Sequence, residues 1–286
     1  MQPGTVALVL AAALAHAVWN LASKYKRGDT VVFVWAYSCA STMLCVPIGL
    51  VLMAKGQQTV DWRLAMGAAV SAAMHIVYSL TLQAGYDRAE LGVVYPVARG
   101  TGPVLTIVFA MLLMGERLAP VAVLGALLVV AGIFVVTGNP FTSRGRRPLE
   151  GMLWGAATGA TIAAYTLWDG YSVSVLHLAP AAYYASTLLL QSLILTPSAL
   201  RRAHQIPAVL RADAVPVCIV AVFSPLAYIL VLNAMLTAPL ALVAPLRESS
   251  IIVGSLLAYR LFREDHLARR MAGAVLVLAG IAAISL

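Results

Sequence analysis

Charge is the scarcest commodity in this chain. Asp, Glu, Lys and Arg make up 10% of its 286 residues, against roughly a quarter in soluble domains. So few charges cannot clothe a water-soluble fold of this size. With 62% hydrophobic residues and a mean hydropathy of +0.91, the chain reads as a membrane protein. Acidic residues number eleven against nineteen basic ones, yet that surplus does not point to nucleic acid. The Lys and Arg residues lie between apolar runs, as in loops facing anionic lipid, and form no continuous basic surface.

Cysteine is equally sparse. Cys39, Cys45 and Cys218 all fall inside apolar segments, which argues against a disulfide framework or a thiolate metal site. No His, Cys and carboxylate cluster has metal-ligand spacing, and no GxxxxGK[ST] loop occurs. No metal and no cofactor is therefore expected, and any transport work must be driven by gradients. Ala15-His16-Ala17 resembles a signal-peptide cleavage site, but the preceding MQPGTV lacks the basic segment such a signal needs. Residues 5–23 accordingly read as a retained transmembrane helix.

What the chain does have is long apolar runs separated by short polar breaks. Each is long enough to span a bilayer as a helix. They cover residues 5–23, 31–54, 64–84, 91–114, 118–137, 151–169, 179–198, 214–236, 240–260 and 267–286. No break is long enough to hold a soluble domain. The runs also repeat. GALLVVAGI (125–133) returns as GAVLVLAGI (273–281), seven of nine residues identical at an offset of 148. Glu116 and Glu264 share that offset, as do Arg99 and Arg247, while Trp19-Asn20 returns as Trp168-Asp169 at 149. The expected fold is an all-α integral membrane protein of ten transmembrane helices. It divides into a five-helix repeat over residues 1–138 and a second over 139–286. An odd number of helices per repeat inverts the second copy, and inverted repeats are a transporter signature with the substrate near the midplane.

Specific motifs carry a resemblance. Gly115-Glu116-Arg117 and Arg263-Glu264-Asp265 each precede a glycine-rich final helix, and HAVWN (16–20), YPVARG (95–100) and APLRESS (244–250) accompany them. Over its whole length the chain resembles the drug/metabolite transporter (DMT) superfamily, in its EamA-like, ten-helix branch. That resemblance implies movement of amino acids, other metabolites or drugs, with phosphonate use among relatives. It also implies that both termini are cytoplasmic. The charge count implies the reverse, with fourteen Lys and Arg in odd-numbered breaks against Lys55, Arg63 and Arg117 in even ones. Three Lys against sixteen Arg, with abundant Ala, suggests a bacterial source, so the expected location is the inner membrane, multi-pass. The expected partners are the lipid bilayer and a small-molecule substrate, with the chain a monomer or a homodimer.

Two arginines stand out because a buried guanidinium in hydrocarbon costs about 2.5–3.5 kcal/mol at a helix centre. Arg99 shares a helix face with Pro96 and Pro103, and Tyr95 precedes that face. Arg247 lies beside Pro245 and Glu248. The functional reading gives these arginines an anionic substrate group to grip by fork-shaped hydrogen bonds. The structural alternative closes Arg99, Arg247 and Glu248 into a network holding two helices together. A polar-aromatic stripe of His16, Trp19, Asn20 and Ser23 on the first span is answered by Tyr165, Trp168 and Asp169 on the sixth. Such stripes suit a pocket with aromatic walls, although tryptophans near helix ends also serve as interfacial belts. His75 with Tyr78, and Ser224 with Tyr228, give weaker signals. A lone histidine of this kind is more commonly an interhelical hydrogen bond than a proton relay. The glycines Gly151, Gly155 and Gly159, Gly125 and Gly132, and Gly273 and Gly280 allow close helix packing.

The leading expectation is a secondary transporter of a small organic anion or zwitterion, working by alternating access. Glu248 is its candidate for proton coupling. A proton-coupled exporter of drugs or lipophilic cations, using Glu248 and Asp169, is the alternative. A non-transporting membrane enzyme or assembly factor needs a nucleophile or metal triad, and none is visible, so the chain is not expected to be an enzyme.

Overall fold

The computed structural model describes residues 3–113, 120–137, 148–238, 243, 247, 250–262 and 267–284. Glu116, Glu248, Pro245 and Glu264 lie outside these residues, as do the two turns containing Glu116 and Glu264. Among the described residues the chain is helical, with no strand. The helices are α1 (Pro3–Lys24), α2 (Thr30–Ala54), α3 (Trp62–Arg88), α4 (Leu91–Leu113), α5 (Pro120–Thr137), α6 (Pro148–Ser174), α7 (Pro180–Leu200), α8 (Ile206–Ala212), α9 (Ala214–Thr237), α10 (Ser250–Phe262) and α11 (Leu267–Ile284). Nine of the expected apolar runs coincide with one of them; of the run expected at 240–260, α10 is described together with Val243 and Arg247, which are helical ahead of it. In α1, α2, α3 and α9 the helix is long and apolar enough to cross a membrane. Large apolar side chains such as Met43, Leu153 and Val215 stand exposed, as lipid-facing residues of an all-α membrane protein do.

Local chemistry sets several helix ends. The Asp29 carboxylate accepts the Val32 N–H at 3.0 Å and caps α2, satisfying one of the donors that a helix start leaves open. Pro180 opens α7, where its missing N–H costs nothing. The break after α7, expected as loop, holds a 3-10 turn at Ala203–Gln205 and then α8.

Two compact units emerge, each drawing on both halves of the sequence. The first gathers Thr81–Ala163 and Leu240–Leu286; the second gathers Gln2–Leu80 and Ala164–Pro239.

In the first unit, α5 packs along α11 at a glycine crossing. A Cβ on Gly132 would stand 2.7 Å from the Val277 nitrogen and 2.8 Å from the Gly273 carbonyl oxygen. A Cβ on Gly280 would stand 2.5 Å from the Gly125 oxygen and 2.7 Å from the Val129 nitrogen. The contacts are reciprocal and run in opposite chain directions, as local two-fold symmetry produces. Val129, Ile251, Ala274, Val277 and Ile281 fill the core around the crossing. The α6 ladder is spent in the same way. Gly151, Gly155 and Gly159 lie against Val93, Val97 and Thr101 of α4. Arg270, counted from sequence among the loop cations, is instead 1% exposed and forms a close ion pair with Glu90.

In the second unit, α1 packs on α9 and α2 on α7. The hydroxyls of Thr42 and Ser192 bond at 2.8 Å between α2 and α7, and each of those helices carries an internal proline, Pro47 or Pro197. Buried Asp213 accepts the N–H groups of Arg27 and Gly28, both at 2.9 Å, fastening the α1–α2 loop to the start of α9.

The crossing yields a contrast between two glycines. Gly280→Ala pushes a methyl into backbone atoms that cannot rotate away, so it should destabilise by about 1–3 kcal/mol. Nothing lies within 4 Å of a Cβ on Gly170, so Gly170→Ala should be neutral or stabilising, by up to about 1 kcal/mol. Thermal unfolding in detergent should show a lower midpoint for the first variant alone.

Candidate functional site

The second unit concentrates polar and aromatic chemistry on Asp169. This carboxylate sits on α6 with no exposed surface. Its Oδ1 accepts the Tyr183 hydroxyl at 2.6 Å. Its Oδ2 accepts the Tyr228 hydroxyl at 2.5 Å and lies 3.0 Å from His75 Nε2. Four helices, α3, α6, α7 and α9, thus meet through one side chain. Burying a carboxylate costs several kcal/mol, and hydrogen bonds to a charged group recover about 1.5–3 kcal/mol each. Two phenol donors and the imidazole supply that compensation around Asp169.

Rings enclose the His75 side of this cluster. Tyr165 stacks on the imidazole with centroids 4.3 Å apart and planes 28° apart. Tyr78, Tyr184 and Tyr228 meet it edge-on at 6.3, 5.7 and 5.1 Å. Trp19 then packs edge-on to Tyr78 at 6.5 Å and carries the aromatic contact to α1. Its indole N–H donates to His16 Nδ1 at 3.1 Å. With Nδ1 accepting, a neutral His16 carries its proton on Nε2. The Asn20 amide donates to the His16 carbonyl at 2.7 Å, and His16, Trp19, Asn20 and Ser23 are all buried.

One unit therefore brings together His16, Trp19, Asn20, His75, Tyr78, Tyr165, Asp169 and Tyr228. Trp168 takes a different place. Its indole N–H donates to the Gly67 carbonyl at 3.0 Å, and its ring tilts against Tyr171. Tyr165 and Asp169, one helical turn apart, share the face that Trp168 leaves. Sequence reasoning missed Tyr183 and Tyr184. Their signal was two adjacent tyrosines within the apolar run of α7, but nothing in the sequence names Asp169 as their partner.

The arginines lie in the first unit. Arg99 is 2% exposed and Arg247 is 4% exposed. The Arg99 guanidinium stands 5.4 Å from the centroid of the Tyr95 ring, one turn earlier on α4, within cation–π range. The Tyr95 ring in turn covers Gly254 of α10, where a Cβ would stand 2.7 Å from the ring edge. A glycine at 254 is what lets the aromatic support of Arg99 seat against α10. Glu248, which the structural alternative joins to these arginines, is outside the described residues. Among the described residues no group of three His, Cys, Asp or Glu could hold a metal ion.

Residues 4–138 match the model of the EamA-like transporter family. A solved structure, described simply as the crystal structure of a protein, superposes with a TM-score of 0.66 at 17% identity, covering 99% of this chain and 96% of its own. At that identity the likeness concerns the fold alone. No curated protein matches significantly.

The Asp169 cluster can be tested as a unit. Tyr183→Phe removes one donor from a carboxylate sealed away from water, at an expected cost of about 1–3 kcal/mol. Combined with Asp169→Asn, the loss should be non-additive by at least about 0.5 kcal/mol, as for residues sharing one network. Chemical denaturation of the four members of the cycle measures it, and simple additivity would show that the phenol contributes independently of Asp169.

Proposed function

Because residues 4–138 place the chain in the drug/metabolite transporter superfamily through its EamA-like family, we propose that it is a secondary transporter of a small organic anion or zwitterion. Amino acids, carboxylates and phosphonate-like metabolites are the substrate classes. The observation that carries the anion reading is the burial of Arg99 and Arg247 within helical segments of one unit. An intramembrane guanidinium is expensive and marks a functional position by default. Its planar fork matches a carboxylate or phosphonate with two parallel hydrogen bonds. The Tyr95 ring beneath Arg99 restrains the fork without neutralising it.

Alternating access is the mechanism proposed, with five-helix repeats over 1–138 and 139–286 exchanging roles on the two sides of the membrane. The reciprocal α5–α11 crossing supports this reading. Gly132 lies against Val277 as its equivalent 148 residues on, Gly280, lies against Val129, with the chain directions reversed, as counterpart helices of inverted repeats would. A second reading, export of lipophilic cations, is favoured by the aromatic rings around the buried Asp169 carboxylate, since aromatic faces attract cations.

Uptake into proteoliposomes of a labelled panel of carboxylates and phosphonates separates the two. Arg99→Gln and Arg247→Gln should each reduce anion uptake at least tenfold, and Arg99→Lys should recover little of it because a point charge lacks the fork. Normal uptake by both glutamine variants removes the anion site. Export of lipophilic cations that survives both changes and is lost in Asp169→Asn installs the second reading.

A further inference from the structure

Among the described residues, two close contacts between an acidic and a basic side chain have a buried member, and they differ in one respect. In the first unit Glu90 is matched by Arg270, a cation that keeps its proton at every physiological pH. In the second unit, fully buried Asp169 is matched by His75. Among the described residues His75 is the one cationic side chain within ion-pair distance of Asp169. A histidine is a cation only while it holds a second proton, so the charge of this pair depends on proton supply.

We propose that the His75–Asp169 pair is the proton-binding site through which transport is coupled to a proton gradient. The inference rests on the transporter reading above and names its coupling group.

Without the extra proton, neutral His75 donates from Nε2 to the Asp169 carboxylate, and the pair carries one negative charge. One proton arriving from the aqueous side adds to the pair, forming an N–H bond at His75 Nδ1, and the pair becomes neutral. Release to the opposite side breaks that N–H bond and restores the negative charge. Tyr183 and Tyr228 keep their hydroxyl protons throughout, since both donate to the carboxylate. A lone negative charge sealed from water costs several kcal/mol, whereas a satisfied pair costs far less. The closed conformation therefore favours the loaded pair, and the open ones let the proton exchange.

The groups facing the pair are consistent with a one-proton site. Tyr183 and Tyr184 come from α7, Tyr228 from α9, Tyr165 from α6 and Tyr78 from α3. From α1, Trp19 and His16 reach the cluster through Tyr78, and from α2, Tyr37 and Cys45 lie within electrostatic reach of Tyr184. None supplies a permanent charge.

Two measurements test the proposal. In the full chain labelled with 15N-histidine and held in nanodiscs, the His75 signal is identified by its loss in His75→Gln. It should pass between the neutral and cationic forms as pH changes from 9 to 5, and Asp169→Asn should alter that passage. A single form across the range overturns the proposal, whether or not any substrate is transported. In proteoliposomes, uptake of the carboxylate and phosphonate panel is compared with and without an imposed pH gradient of two units. The ratio should exceed about fivefold for the unaltered protein and fall to one in His75→Gln and in Asp169→Asn, whatever their absolute rates. A ratio of one in the unaltered protein, or an unchanged ratio in both variants, also overturns it. Should the unaltered protein take up no compound of the panel, the anion-transport reading fails by itself, and the histidine spectra still decide whether the pair binds the proton.

Discussion

Hydrocarbon supplies no hydrogen bonds, so a polar group at membrane depth must find its partners inside the protein. Asp169 shows what that demand does to a fold. Its two oxygens draw a phenol from α7, a phenol from α9 and an imidazole from α3 toward α6. His75 and Tyr228 are held by rings packed around them, and the ring contacts extend to Trp19 on α1. Helices in lipid gain little from burying apolar side chains against each other, because the lipid is as apolar as they are. Polar convergence of this kind is then the adhesive of the second unit.

The first unit is held by different means. Its helices approach through glycine, so that backbone atoms of α5 and α11 come within van der Waals contact. Close approach multiplies dispersion contacts and shortens the distance over which carbonyl dipoles act. Gly132 of α5, Gly151, Gly155 and Gly159 of α6 and Gly280 of α11 are thus engaged within the chain, on partners in the same unit. Such rigidity suits a frame that carries Arg99 and Arg247 at low exposure, with Tyr95 held against Gly254.

Much of the helical plan was legible because apolar run length is a strong signal when lipid is the solvent. The stripe of His16, Trp19, Asn20 and Ser23 was legible for the same reason, as polar residues one turn apart must share a face. Pairings between distant segments were not. Arg270 sits in a polar break and counts as a loop cation by position, yet Glu90, 180 residues away, draws it into the interior. His75 looked like a solitary interhelical histidine because its partner Asp169 lies 94 residues on. Trp168 looked like a counterpart of Trp19, and its spacing from Tyr165 and Asp169, the same as that of Trp19 from His16 and Asn20, gave no sign of its partner. Its indole finds the Gly67 carbonyl instead.

The reciprocal crossing of α5 and α11 has a bearing on how such a chain can change over time. Whatever occupies position 280 must fit against residues 125 and 129, and whatever occupies 132 must fit against 273 and 277. A bulkier side chain on either helix therefore demands a concession from its look-alike segment across the crossing. The two stretches act as each other's mould. Drift in one is checked by the shape of the other, which accounts physically for the shared residues at 125 and 273, 129 and 277, and 132 and 280.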